Sequence, residues 1–210
     1  MAAMEKHVPH RKRVKHYHQP GDFHELTFSC YRRLPLLTND LWRKWLAEAI
    51  DEAAEAREFH LNAFVFMPEH VHLLIWPTWS DTTAEDISTF LAAVKRPVSR
   101  RVKAALSESS SEKSAQRLLE RLTIRDRPNS TVFRFWQEGP GYDRNLDNER
   151  SVSACIEYLH LNPVQRKLVK ATTDWNWSSA RWYASGCQNV DPDLPRLHFP
   201  PRELFDPCVV

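Results

Sequence analysis

Apolar and polar residues alternate from Phe23 to Cys30, with Leu26, Phe28 and Cys30 on one side and Glu25, Thr27 and Ser29 on the other. A period of two predicts a half-buried strand. The period lengthens after Asn39-Asp40, where Leu41, Trp42, Trp45, Leu46, Ala49, Ile50 and Ala53 recur at helical spacing and Arg43, Lys44, Glu48, Asp51 and Glu55 fall elsewhere. Leu61 to Met67 and His70 to Trp76 read as two more strands, and only Pro68-Glu69 separates them, which predicts a hairpin. Thr83 with Asp86 resembles a capping box opening a helix from about Ala84, with Ile87, Phe90, Leu91 and Val94 facing inward and Pro97 expected to kink or interrupt it.

Residues 107–117 are polar and serine-rich and read as an insertion or mobile loop, followed by a short helix at Leu118 to Leu122. Thr131 to Trp136 predicts a fourth strand, with Trp136 assigned to the core. Asp147 is expected to cap a helix from about Asn148 to Leu161, buried through Val152, Cys155, Ile156 and Leu159 and stopped by Pro163. The remainder is rich in tryptophan and proline and predicts irregular wrapping structure. The order strand, helix, strand, strand, helix, strand, helix defines an α+β, ferredoxin-like fold: a four-stranded antiparallel sheet with helices packed on it, expected on one face. The organisation expected is a flexible basic arm over 1–20, one domain over 21–183 carrying the 107–117 insertion, and a proline-rich tail over 184–210.

Composition narrows the class. A hydrophobic content of 42% supports a real core, and no apolar run is long enough to span a membrane. Cys30, Cys155, Cys187 and Cys208 lie far apart without metal-knuckle spacing, which predicts a reduced, intracellular protein. The net charge of +2 hides two basic runs, one within residues 6–18 and one at Lys95, Arg96, Arg100, Arg101 and Lys103. Such runs in an otherwise balanced chain point to a phosphate-rich partner. Lys95, Arg96, Arg100 and Arg101, with Arg134, are the candidate DNA contacts.

Candidate chemistry sits in two places. His70 and His72 project from the same side of one strand and make half a site for a divalent metal. Tyr158 and Asn162 are four residues apart, on one face of the last helix and beside its apolar stripe. Taken alone, Tyr158 reads as packing and Asn162 as a helix end. If that helix packs near the hairpin, His70, His72 and Asn162 form a nitrogen and oxygen donor set suited to Mn²⁺ or Mg²⁺, with Tyr158 beside it. Tyr142 is a competing nucleophile, although it lacks an Asn one turn on.

These blocks resemble a known family, the single-tyrosine HUH transposases, and most of all the REP-associated tyrosine transposases. The resemblance rests on Met67-Pro68-Glu69-His70-Val71-His72-Leu73-Leu74-Ile75, on Phe135-Trp136-Gln137-Glu138-Gly139, on Tyr158-Leu159-His160-Leu161-Asn162-Pro163-Val164 and on Asp174-Trp175-Asn176-Trp177-Ser178-Ser179-Ala180, in that order. The early Tyr31-Arg32-Arg33-Leu34-Pro35-Leu36 adds to it. It implies metal binding by His70, His72 and Asn162, attack by Tyr158 on a scissile phosphate, and a covalent 5′-phosphotyrosine intermediate that frees a 3′ hydroxyl. It further implies a cytoplasmic, nucleoid-associated, metal-dependent (Mg or Mn) enzyme. Such an enzyme nicks and transfers single strands at hairpin-forming palindromic repeats, on single-stranded or hairpin DNA, as a monomer or homodimer. The alternative is a domesticated hairpin-binding protein without turnover, and a further one is a water-using phosphodiester hydrolase.

Overall fold

The computed structural model describes residues 22–78, 84–109, 111–139 and 141–201. The expected basic arm, Thr83, Cys208 and the end of the tail lie outside them. Six strands and five α-helices follow in the order β1 (Phe23–Ser29), α1 (Asp40–Ala56), β2 (Phe59–Phe66), β3 (His70–Pro77), α2 (Ala84–Glu108), α3 (Lys113–Leu122), β4 (Thr123–Arg127), β5 (Ser130–Phe133), β6 (Tyr142–Leu146), α4 (Glu149–Gln165) and α5 (Ala180–Ala184). Among the described residues no helix is long and apolar enough to cross a membrane.

The main sheet runs β2-β3-β1-β6, and every neighbouring pair is antiparallel. This is the ferredoxin-like order expected from the chain. Strand alternation gives the sheet two apolar faces. Leu26, Phe28, Leu61, Phe64, Phe66, Val71, Leu73 and Ile75 join α1 and α2 in one core, whereas Phe23, Ala63, Val65, Met67 and Leu74 join Val152, Cys155 and Leu159 of α4 in another. The helices therefore cover both faces, not one. His70 and His72 share the face of Leu74, so α4 lies over the histidines while α1 and α2 lie behind them.

Local reasons explain the other departures. Asn39 caps α1 by accepting from the Trp42 N–H at 3.2 Å. The buried face of α1 is rotated from the expected stripe: Leu41 is 51% exposed, and Arg43 is buried instead. Arg43 bonds Asp40 at 2.9 Å and lies over the rings of Trp175 and Trp177, which keeps its charge compensated. Pro97 neither stops nor divides α2, which runs through it as one helix. Burial of Val94, Val98, Val102 and Leu106 along that helix offsets the lost hydrogen bond, since each such side chain contributes about 1.5–3 kcal/mol and an interior proline costs about 3 kcal/mol.

The serine-rich 107–117 segment is mostly helical: residues 107 and 108 end α2, and α3 begins at Lys113. Thr131 to Trp136 does not supply the fourth strand of the main sheet. Residues 130–133 form β5, which pairs with β4 in a separate two-stranded sheet. The fourth strand is β6, whose sequence Tyr-Asp-Arg-Asn-Leu carries no apolar alternation to read. Backbone pairing to β1 and an Arg144–Glu25 ion pair at 2.7 Å hold it in place. Gly141 enters this strand at φ +88°, pressed against the backbone of Thr27.

Asn148 rather than Asp147 caps α4, accepting from the Ser151 N–H at 2.9 Å. The helix also passes through Pro163, because Leu159, Asn162 and Pro163 are all buried against the sheet. The aromatic C-terminal stretch wraps the β2 edge as expected. Val65 pairs with Ser178, Trp175 Nε1 donates to the Phe66 carbonyl at 3.1 Å, and the His198 N–H donates to the Leu61 carbonyl at 2.8 Å. A covered edge strand cannot template pairing with another chain.

Candidate active site

β3 and α4 bring together all four residues predicted to carry chemistry. His70 Nε2 lies 3.0 Å from His72 Nε2, and Asn162 Nδ2 lies 3.3 Å from His72 Nε2. The rings of His72 and Tyr158 meet edge to face with centroids 5.6 Å apart. His70, His72 and Asn162 are buried, while Tyr158 is 43% exposed at the mouth of the site. The helical spacing of Tyr158 and Asn162 thus puts a hydroxyl toward solvent and an amide toward the histidines.

The outer nitrogens of both rings already have oxygen neighbours. His72 Nδ1 lies 2.8 Å from Thr27 Oγ1, and His70 Nδ1 lies 3.2 Å from Glu69 Oε1. Register explains both contacts: Thr27 faces His72 across the β1–β3 ladder, and Glu69 ends the hairpin turn. His70 Nδ1 is close to Glu69 without an aligned hydrogen bond, whereas with the His72 Nδ1–H directed at Thr27 the two Nε2 atoms converge. Two lone pairs at 3.0 Å repel unless a proton or a cation lies between them. The Asn162 amide, turned about its last bond, offers an oxygen to the same point.

Electrostatics keeps these rings neutral, the form that ligates metal. Burial, with the charges of His70 and Arg33, pushes His72 down to about 3. Burial also lowers His70, against an upward pull from Glu69 and with help from Arg33 and Arg166. Burial alone would raise the Glu69 carboxyl, but its bond to Arg166 at 2.7 Å and its proximity to His70 hold it below the usual carboxylate range. Among the described residues no group of three His, Cys, Asp or Glu is placed to hold a metal, and the side-chain amide beside the histidine pair is that of Asn162.

The candidate DNA contacts are not gathered here. Lys95, Arg96, Arg100 and Arg101 lie on α2, behind the sheet, and Arg134 follows β5. Arg96 and Arg100 are exposed and line a groove against α1. Lys95 is turned inward, 3.4 Å from the Gly139 carbonyl and over the Phe28 ring, and burial lowers it to about 8. Arg101 pairs with Glu48 and covers Trp45. Arg134 is held between Asp126 at 3.0 Å and Glu138 at 3.2 Å. Trp136 is buried and donates to the Lys95 carbonyl, as a core tryptophan does. Tyr142 is 49% exposed and stands in the same cross-strand row as Thr27 and His72, with β1 between it and the histidine.

Sequence reasoning assigned no role to Thr27, Glu69, Arg33 and Arg166, which surround the histidine pair. Arg32 and Arg33 take φ of 51° and 52°, a left-handed conformation unusual for two successive non-glycine residues. The signals available in the sequence were their place directly after the first strand and the Tyr31–Leu36 block of the resemblance, neither of which gives them a role.

Residues 22–121, from β1 into α3 with both histidines, match the model of the family described as transposase, IS200 like. Among solved structures, the chain is similar to a REP-associated tyrosine transposase bound to a REP hairpin, with a TM-score of 0.58 at 20% identity, over 89% of this chain and 98% of that one. No curated protein matches the chain. The recognition made from the motifs agrees with both matches, and the fold is the one that the solved transposase has.

Proposed function

We propose that the protein is a metal-dependent enzyme that nicks and rejoins single-stranded DNA at hairpin-forming repeats, with Tyr158 as nucleophile. The observation that carries this reading is the convergence of the Nε2 atoms of His70 and His72 and the Asn162 amide beneath a solvent-facing tyrosine. The solved relative bound to a REP hairpin supports the choice of DNA substrate.

His70, His72 and Asn162 fit a divalent cation of the Mg²⁺ or Mn²⁺ class, with Thr27 holding the His72 ring from behind and the Glu69 carboxylate close to His70. When bound, such an ion supplies Lewis-acid polarisation of a phosphate oxygen. Tyr158 Oη attacks phosphorus, the P–O3′ bond breaks, and the strand leaves with a free 3′ hydroxyl. The 5′ phosphate stays on the tyrosine as a diester. The phenolic proton goes to solvent, to which the ring is open, and the departing O3′ takes a proton from solvent in turn. Because one phosphodiester replaces another, a 3′ hydroxyl can attack the link and rejoin the strand. The Arg33 charge, which reaches both histidines, would attract the phosphate, and exposed Arg96 and Arg100 on the other side of the sheet would meet only DNA farther away.

The test is incubation with Mn²⁺ and labelled single strands carrying a hairpin, read on a denaturing gel. A covalent adduct is expected that vanishes with chelator and in Tyr158→Phe and survives in Tyr142→Phe. An adduct that persists in Tyr158→Phe overturns the assignment.

A further inference from the structure

α3 carries a charge pattern that its own stability does not explain. Lys113, Arg117 and Arg121 repeat every fourth residue, so they stand along one face of the helix, and all three are exposed. Like charges at this spacing disfavour a helix. None of the three forms an ion pair among the described residues, and the nearby Glu120 instead accepts from Gln116 at 3.1 Å. The opposite face buries Ala115 and Leu122 and packs Leu118 and Leu119 against the main core, which fixes the orientation of the basic stripe. Exposed Arg125 and Arg127 follow on β4, the latter 3.9 Å from Asp126.

Three features indicate what this face meets. Four residues of helix rise about 6 Å, so the stripe holds its charges over about 12 Å of a rigid rod, while a DNA duplex presents a phosphate about every 1.7 Å of its axis. A rigid duplex can therefore meet all three cations at once. No aromatic residue occurs in α3 or β4, so this surface lacks the stacking groups on which single-stranded bases rest. The lobe is also rooted at the histidine end of the sheet. The Arg134 N–H donates to the Leu122 carbonyl, Trp136 bridges Cys30, and the Gln137 N–H donates to the Ser29 carbonyl, whose residue faces His70 across the ladder.

We propose that the Lys113, Arg117 and Arg121 face of α3 grips the phosphate backbone of the base-paired stem of a hairpin whose single-stranded flank lies in the active site. The proposal rests on the reading that hairpin DNA is the substrate. The grip reads charge and shape, since three cations spaced along one rigid rod match a line of backbone phosphates.

The experiment compares the full chain with the Lys113→Gln, Arg117→Gln, Arg121→Gln triple variant. Binding is measured from 50 to 200 mM salt on two probes: a DNA hairpin with a single-stranded flank, and the flank alone. For the hairpin, the expected loss is roughly 10- to 100-fold, with the log–log salt slope reduced by about 3. Binding of the flank alone and its covalent adduct are expected to stay unchanged. Equal loss on both probes assigns the stripe to single strands and overturns the proposal. Unchanged hairpin binding makes it a solvated face, which also overturns it, as does an equal preference for an RNA hairpin with the same stripe dependence. Because the substitutions are all exposed, thermal unfolding of the variant should match the parent. Absence of any adduct with the parent protein would instead count against the nicking reading, and the binding comparison stands apart from it.

Discussion

Thr27 Oγ1 sits 2.8 Å from His72 Nδ1, directly across the β1–β3 ladder, and this contact sets which nitrogen of His72 faces Asn162. Thr27→Val keeps the shape and removes the acceptor. Metal affinity is expected to fall about 10- to 100-fold, as for other lost outer partners of ligating histidines. Titration with Mn²⁺ by calorimetry checks this. An unchanged affinity would show that the ring orientation is set elsewhere.

Arg33 presents a different balance. Its φ of 52° costs backbone energy that glycine would not pay, yet its charge lies close enough to lower both histidines. Arg33→Gly should raise stability by about 0.5–1 kcal/mol while slowing adduct formation on short strands about tenfold. Arg33→Lys, which restores the charge, should recover much of the rate. Thermal melts and single-turnover gels on the same samples separate the two effects.

Gly141 and Gly139 both have positive φ, but only Gly141 is crowded. A Cβ there would run into the Thr27 carbonyl, whereas nothing lies within 4 Å of one at Gly139. Gly141→Ala should therefore cost at least about 2 kcal/mol and loosen β6 from β1, while Gly139→Ala should cost only about 1 kcal/mol of backbone strain. Chemical denaturation orders the two variants, and hydrogen exchange at β6 localises the damage.

Acid should weaken the fold before carboxylates titrate. His160 is lowered to about 4 by burial and lies 2.8 Å from Ser179 Oγ, under the segment that wraps β2. Its folded value lies below its unfolded one, so the unfolded chain binds the proton more readily. Stability is full above about pH 6.5 and declines as pH falls toward about 4. Melting temperature followed from pH 7 to 4 should drop, and His160→Gln should flatten part of that slope. An identical slope in the variant would assign the acid sensitivity to other groups.

Much of this was legible in the chain. The strict alternation of Phe23 to Cys30 and the two apolar runs around Pro68-Glu69 left few other placements for β1, β2 and β3. The helical spacing of Tyr158 and Asn162 gave their shared face, since i and i+4 positions meet on any helix. β6 was not legible, because Asp143 and Arg144 occupy a strand held by backbone pairing and a cross-strand ion pair instead of an apolar face. The two prolines misled for one reason. At Pro97 and Pro163 the burial of neighbouring side chains outweighs a local penalty, and burial cannot be read from the local sequence.

The sequence alone determined the donor types, their pairing within β3 and within α4, and the ferredoxin-like fold class, with the first three strands and the main helices but not the fourth strand. Only the tertiary structure decided that α4 covers the histidine face while α1 and α2 cover the other. That choice depends on the second apolar layer of Phe23, Ala63, Val65, Met67 and Leu74, which must be buried by something. The same packing supplies Thr27, Glu69, Arg33 and Arg166 around the site. These residues are contributed by chain distant from the histidines or by turns, and only close packing brings separate segments within hydrogen-bond and charge range.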